Sequence, residues 1–445
     1  MKVIDPRSIA WRAIIEFQKN GRNPEDTLFR LIGKNYDDRD KGLAWEITLG
    51  TIRNLKRLDY IAQSYIKAPI LKQKPGILAA LRIGLYQLTE TSGVPAFAAV
   101  DETVKLIGAS GMKRDAGFVN AILRAYLREP QKVAYPDAIE KPVEYLAVFY
   151  SYPEWLVKRW YDRYGYEETM MMLMAGNKRQ GVSFKVMNRL GSEKAISILQ
   201  NEEIEVTSGR FLPDFISSTE GQFVIDSDLF KTGAISVQDE SQGIPVALLP
   251  AGPGDTVLDL CSAPGGKTIG LADKVGIEGK VISLDKDSKR LDSVRENVER
   301  IGLMNIEFVT ADVMQYDPGI KFKYILLDVP CSGLGTISAN ADLRWTKKEK
   351  DIKSCSIIQK AMLNRAADLL QDKGFLVYST CTTEPDEIED IVTEFLKNRK
   401  DFYLENSRNS LLTNLGTDTG IYRTWPHKHN IGGGGFALLR KKNES

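Results

Sequence analysis

Apolar residues recur every three or four positions through the first third of the chain. Examples are Ala10-Trp11-Ile14-Ile15-Phe17, Leu43-Ile47-Leu49-Ile52 and Leu78-Leu81-Ile83-Leu85-Leu88. That spacing lines one face of a helix. Met1 to Gly21 reads as an amphipathic helix, and Asn20-Gly21 and Thr91-Ser92-Gly93 read as joints between helices. Residues 1–145 are therefore expected to form an all-α bundle. Tyr150-Ser151-Tyr152-Pro153 breaks the pattern. Residues 146–235 then mix a helix (Trp155 to Tyr164) with strand-like runs at Val182–Val186 and Gln222–Ile225, and read as a small α+β connector. From residue 236 to 445 apolar runs alternate with helical stretches. Strands are expected at Thr256–Leu260, Val281–Leu284, Ile306–Val309, Tyr324–Leu327 and Phe375–Ser379, with Gly435–Leu439 as a late edge strand. Strands separated by helices imply a parallel sheet with right-handed crossovers, an α/β domain whose ligands bind at the carboxyl ends of the strands.

At about 150 residues per domain, 445 residues accommodate these three parts. Lys and Arg number 60 against 59 Asp and Glu, so nucleic-acid binding would have to come from local patches rather than a global field. There is no apolar run of membrane-spanning length and no signal-peptide core. The four cysteines, Cys261, Cys331, Cys355 and Cys381, are then expected to be reduced thiols of a cytoplasmic protein. His427 and His429 are the only histidines, which removes a Ser-His-Asp triad elsewhere and most metal sites. As a pair they are too few for structural zinc and read as facing solvent or RNA; no metal is expected.

The first strand of the α/β part runs into Cys261-Ser262-Ala263-Pro264-Gly265-Gly266-Lys267-Thr268 and a helix. Glycines let the backbone approach a ligand, and a helix N-terminus attracts an anionic group. Asp285 ends the second strand, where a carboxylate can accept ribose hydroxyls, and Asp312 follows the third, placed for an adenine amino group. A nucleoside triphosphate is the competing ligand, since Ile325-Leu326-Leu327-Asp328 imitates a Walker B strand. Cys261, however, stands where a Walker A loop has its first glycine.

Two of the four cysteines follow strand ends: Asp328-Val329-Pro330-Cys331-Ser332-Gly333 and Ser379-Thr380-Cys381-Thr382. Cys355 lies mid-helix and Cys261 beside the loop, where packing roles suffice. A thiol beside an adenosine cofactor suits one reaction. Thiolate addition at carbon 6 of a pyrimidine turns the ring into an enamine whose carbon 5 attacks an electrophilic methyl group. Asp328 is placed to offset charge at ring nitrogen 3, and a second group must help remove the carbon 5 proton. On spacing alone the roles of Cys331 and Cys381 are interchangeable.

These three motifs together resemble the RNA 5-methylcytosine methyltransferases of the Fmu/Sun group. The likeness extends to Ala98-Ala99-Val100-Asp101-Glu102-Thr103-Val104, which is similar to the NusB-like domain of bacterial members. Ser236-Val237-Gln238-Asp239-Glu240-Ser241 resembles the family's lead-in to its catalytic domain. The resemblance implies an α/β Rossmann-like methyltransferase domain behind an all-α NusB-like N-terminal domain and the connector. It further implies S-adenosylmethionine as methyl donor, a cytosine of 16S ribosomal RNA as substrate and no obligate protein partner. Cys381 would be the nucleophile, Cys331 would aid product release, and Asp328 would assist. Cofactor binding would fall to Cys261, Ser262, Ala263, Pro264, Gly265, Gly266, Lys267, Asp285, Asp312 and Asp328. The stretch His427 to Phe436 departs from the family, which commonly has an acid and a glycine before the aromatic residues there. Its four glycines, Gly432 to Gly435, read as a permissive loop.

Basic runs occur at Arg53–Arg57, Lys113-Arg114, Arg344–Lys348 and Lys397–Lys400. Arg344-Trp345 pairs a guanidinium with an aromatic plane, the types that stack on splayed RNA bases. Packing beneath the active-site loop is the other reading of Trp345. A base held in a duplex would have to be extruded, at a cost of roughly a few kcal/mol.

Overall fold

The computed structural model describes residues 5–33, 36–91, 93–407 and 409–443. Met1 to Ile4 of the expected first helix and Ser92 of the expected joint lie outside the described residues. The chain forms two compact units: Met1–Asn177 with Asn340–Lys347, and Lys178–Ala339 with Lys348–Ser445.

The first unit is helical, as its periodicity predicts: α1 Pro6–Asn20, α2 Pro24–Leu31, α3 Asp38–Arg53, α4 Leu55–Gln63, α5 Pro75–Thr89, α6 Ala96–Ala109, α7 Ala116–Arg128, α8 Pro142–Phe149 and α9 Glu154–Asn177. Local chemistry sets the ends of α1. The Asp5 carboxylate accepts from Ser8 N, Pro6 opens the first turn and Gly21 closes the helix in a left-handed conformation. Helix α5 is buried from Gly76 to Gln87, which explains its apolar residues on every face.

Asn340–Lys347 enters this helical core. Arg344 is 0% exposed, stacks over Tyr152 at 3.9 Å and donates to Asn177 Oδ1 (2.6 Å), Gly176 O (2.9 Å) and Ser151 O (3.3 Å). Trp345 Nε1 donates to Ile52 O at 2.7 Å. The pair is therefore a packing device, not a platform for RNA bases. Its acceptors are neutral, and burial pulls the guanidinium down to about 10.

The second unit begins with β1 Val182–Val186, α10 Ser192–Asn201, β2 Thr207–Ser208, β3 Phe215–Ser218, α11 Gly221–Asp226, α12 Asp228–Lys231 and β4 Ile235–Val237. The four strands make an antiparallel sheet in the order β2-β3-β1-β4. Gln222–Ile225, expected as a strand, lies in α11. A run of four residues holds too few periods to separate the two forms. Next come α13 Glu240–Leu248, β5 Thr256–Leu260, α14 Gly266–Val275, β6 Lys280–Asp285, α15 Ser288–Ile301, β7 Ile306–Thr310, β8 Phe322–Asp328, α16 Leu343–Thr346 (in the first unit), α17 Glu349–Leu369 and β9 Leu370–Thr380. The chain ends with α18 Glu389–Asn398, β10 Phe402–Leu404, β11 Tyr422–Thr424, α19 Pro426–His429 and β12 Gly434–Lys441. Their sheet runs β10-β12-β9-β8-β5-β6-β7, with β11 on β12; β5 to β9 are parallel, while β12 is antiparallel to β9. The late strand is thus interior, flanked by β9 and β10. Strand order reverses between β5 and β8, the switch point where such sheets bind ligands.

Replacing Arg344 with Met should leave its carbonyl acceptors buried and unpaired, destabilising the helical unit by about 2 kcal/mol or more. For a unit of this size that lowers the midpoint by about 4–8 °C. Calorimetry checks this, and an unchanged midpoint would contradict the packing role.

Candidate active site

The switch point gathers the residues singled out in the sequence. After β5, Ser262 N donates to Leu284 O (3.0 Å) and Gly265 N to Ser262 O (2.8 Å), folding the loop back on itself. Gly265 sits at φ +98°, where a Cβ would lie 2.6 Å from Val294 Cγ1, so only glycine fits. Asp285, at the end of β6, is buried and accepts from Ala263 N (3.2 Å) and Asp287 N (3.0 Å). Arg290 donates to Ala263 O at 2.7 Å and pins the loop from α15. Asp312 is exposed, with Oδ1 taken by Met314 N at 2.9 Å. Cys261 is half-buried at φ +62° and packs on the core, and burial raises its thiol far above the ordinary range. A cleft of about 370 Å³ opens beside Ser262, Pro264, Gly266, Lys267, Gln238 and Asp328.

Lys267 does not reach outward. Its side chain is 8% exposed, and its ammonium donates to Asp328 Oδ2 at 2.7 Å and to Gln242 Oε1. Ser379 Oγ donates to Asp328 Oδ1 at 2.8 Å, so both carboxylate oxygens are oriented. Behind them Asp259, buried in β5, accepts from Thr268 Oγ1 (2.6 Å), and burial pushes its carboxyl up to about 7.

The two loop cysteines meet. Cys331 Sγ lies 3.1 Å from Cys381 Sγ, both half-buried, while Cys355 stays on α17. The hydrogen bond to Cys381 and burial push the Cys331 thiol up. The same hydrogen bond lowers the Cys381 thiol, helped by the Lys267 cation and opposed by burial and Asp328. Chemically this is a thiolate-competent sulfur with a proton-bearing neighbour.

Two groups hold positions beside the site that the sequence reading did not assign to them. Glu387 lies buried beneath both loops, within an acidic stretch that reads as solvated surface. Asp239 accepts from Gly432 N (3.1 Å), and Gly433 N donates to Gly335 O (2.8 Å), whose own N–H reaches Cys381 O (3.1 Å). The glycine run is therefore not a permissive loop. A Cβ on Gly433 would sit 2.9 Å from Gly335 Cα, and one on Gly435 would sit 2.1 Å from Ile388 Cδ1. The histidines are packed as well. His429 Nδ1 accepts from Trp425 N at 3.0 Å, and its ring meets Phe211 edge-on at 5.5 Å. His427 lies against Trp425 at 5.7 Å.

Residues 246–440 match the family model of the 16S rRNA methyltransferase RsmB/F. Residues 5–128 match the NusB family, and residues 152–221 the ferredoxin-like domain of RsmF/B-like methyltransferases. The chain is 34% identical to a probable ribosomal RNA small subunit methyltransferase B of Bacillus subtilis (strain 168), over 90% of each chain. It is 31% identical to ribosomal RNA small subunit methyltransferase B of Proteus mirabilis (strain HI4320), over 98% of each. The crystal structure of the protein PH0851 superposes with a TM-score of 0.79 at 26% identity, over 99% of each chain.

The lowered Cys381 thiol should make it the fastest-alkylating cysteine. With iodoacetamide near neutral pH, peptide mass spectrometry should show Cys381 modified before Cys331, Cys261 and Cys355. Its rate should rise with pH as the thiolate fraction grows. Preferential labelling of Cys331 would reverse the assignment of the proton.

Proposed function

Because this chain belongs to the RsmB/F family of small-subunit ribosomal RNA methyltransferases, we propose that it transfers a methyl group from S-adenosylmethionine to carbon 5 of a cytosine in 16S ribosomal RNA, through a transient bond between Cys381 and carbon 6. The observation that carries this reading is the approach of the Cys331 and Cys381 sulfurs to 3.1 Å, beside a carboxylate held by Lys267.

The residues present fit the cofactor. The turn at Gly265 excludes a side chain, Asp285 is buried at its flank with lone pairs left for ribose hydroxyls, and the exposed Asp312 offers an acceptor for an amino group. Cys261 through Lys267 would form the wall of that cleft, with Asp328 at its reacting end. When bound, S-adenosylmethionine supplies an electrophilic sulfonium methyl group.

The Cys381 sulfur adds to carbon 6, forming a C–S bond and moving the ring's electron pair toward carbon 5. Asp328, oriented by Lys267 and Ser379, would act toward nitrogen 3 in its protonated form, its O–H donating to the ring atom where negative charge develops. Carbon 5 would then bond to the methyl group the cofactor supplies, as the bond from that methyl to the sulfonium sulfur breaks and the sulfur keeps the electron pair. The carbon 5 proton then passes to a base, water or the Cys331 sulfur once that sulfur has given up its own proton; the C–H electron pair re-forms the ring double bond, the C–S bond breaks, and Cys381 leaves as thiolate. Residues 1–145 are assigned to positioning the RNA through phosphate contacts, which would make binding salt-sensitive without reading sequence. A cytoplasmic site of action follows from the substrate. Among the described residues no helix is long and apolar enough to cross a membrane.

Cys381→Ala should lower methyl transfer to 16S RNA by about 10³-fold or more while leaving S-adenosylhomocysteine binding within about twofold by calorimetry. Near-normal transfer would reject the nucleophile assignment. Cys331→Ala should instead accumulate a protein–RNA adduct on denaturing gels. Normal turnover without adduct would remove Cys331 from the release step.

A further inference from the structure

The reaction above leaves one buried charged group beside the sulfurs without a role. Glu387 is 0% exposed, on the turn that leads from the Cys381 loop into α18. Its Oε1 accepts from Ser332 N (2.8 Å) and Gln359 Nε2 (3.0 Å), and its Oε2 accepts from the Ser332 hydroxyl. Ser332 Oγ lies 2.8 Å from Thr382 Oγ1. Gln359 Nε2 also donates to Pro330 O at 2.9 Å. Pro330 and Ser332 flank Cys331, and Thr382 follows Cys381. One carboxylate thus ties down the residue after each cysteine.

All of these donors are neutral. Burying a carboxylate costs several kcal/mol more than burying an amide, and a glutamine could accept the same two N–H groups. Fastening two loops does not by itself require the charge. We propose that Glu387 is a positioning residue of the two-sulfur centre: it fixes Cys331 against Cys381 through Ser332 and Thr382, and its negative charge opposes loss of the proton held between the two sulfurs. This rests on the reading of Cys331 and Cys381 as the reacting pair.

The charged and titratable groups facing the pair come from five elements. Lys267, in the first turn of α14, favours a thiolate on Cys381, and Asp328 at the end of β8 opposes it. Tyr378 on β9 is held neutral by burial, its OH donating to Glu387 O at 2.8 Å, and Cys355 on α17 acts on Tyr378 in the same sense. Glu387 acts on both sulfurs in the same sense as Asp328. With Lys267 and Asp328 paired to each other, Glu387 is the acid whose charge is not offset at hydrogen-bond range.

The test compares the full-length protein with Glu387→Gln and Glu387→Ala. In Glu387→Gln the amide oxygen keeps Ser332 N and Gln359 as donors, and the amide NH2 meets Ser332 Oγ, whose hydrogen turns to Thr382. Geometry is kept and charge is removed. Iodoacetamide alkylation of Cys381, followed by peptide mass spectrometry across pH, should have its midpoint moved down by about one unit. Below the midpoint this is a roughly tenfold faster rate, while the thermal midpoint stays within a few degrees of wild type. Glu387→Ala should lower kcat for methylation by about tenfold or more with KM little changed, and the Gln variant should restore most of it. A Glu387→Gln profile superimposable on wild type overturns the proposal, and so does a Gln variant as impaired in kcat as Ala. If Glu387→Ala does not fold, the Gln profile alone decides. The alkylation assay contains no RNA or methyl donor, so absence of methylation by the wild-type protein would sink the functional reading separately.

Discussion

Parallel pairing of β8 with β9, constant in register from Tyr324 opposite Phe375 to Asp328 opposite Ser379, places the candidate site of this protein. Asp328 lies opposite Ser379, and Val329 N reaches Ser379 O at 3.1 Å, so the two strands stop together and their loops leave the sheet side by side. A one-residue slip would turn every side chain of β9 to the other face, sending Ser379 away from Asp328 and Cys381 away from Cys331. The register is held by burial on both faces: Ile325, Leu327, Leu376 and Tyr378 pack on one side, and Tyr324, Leu326 and Val377 on the other. The approach of Asp328, Cys331 and Cys381 is thus a consequence of core packing, not of flexible loops finding one another.

Around that seam the polar groups are arranged in layers. Lys267 arrives from the first turn of α14 and fixes Asp328, Ser379 completes that carboxylate's orientation, and Glu387 anchors the residues behind both cysteines. The final strand closes the far side. Its glycines let Gly335 and Gly433 touch backbone to backbone, and Gly335 in turn holds the Cys381 carbonyl. Groups fixed before substrate arrives need not be reorganised during the reaction, which is where preorganised sites gain their rate.

Much of this was legible in the sequence because parallel strands buried on both faces are near-continuous apolar runs. Thr256–Leu260 coincides with β5, and the expected cores of β6, β7, β8 and β9 fall inside the observed strands. The site residues at those strand ends followed from the same reading. What failed did so where the deciding partner is distant in sequence. Arg344-Trp345 has the composition of an RNA contact, yet its partners are Ile52, Ser151, Gly176 and Asn177. Gly432 to Gly435 looks permissive until the neighbours Asp239, Gly335 and Ile388 are in place. Glu387 sits in a run of acids that reads as solvated, and only the fold covers it with Ser332 and Gln359. Gln222–Ile225 shows the remaining weakness, a short apolar segment with no period to measure.

The central claim is that the Cys381 sulfur bonds to carbon 6 of a cytosine. It is tested most directly with an RNA whose target cytosine carries fluorine at carbon 5. After methyl transfer no proton remains there to be lost, so the C–S bond cannot break and the complex is trapped. Digestion and mass spectrometry of that complex should place the modified nucleotide, already methylated, on the peptide containing Cys381. A crosslink on the Cys331 peptide, or methylation of the ordinary RNA with no crosslink to its fluorinated counterpart, would contradict the account.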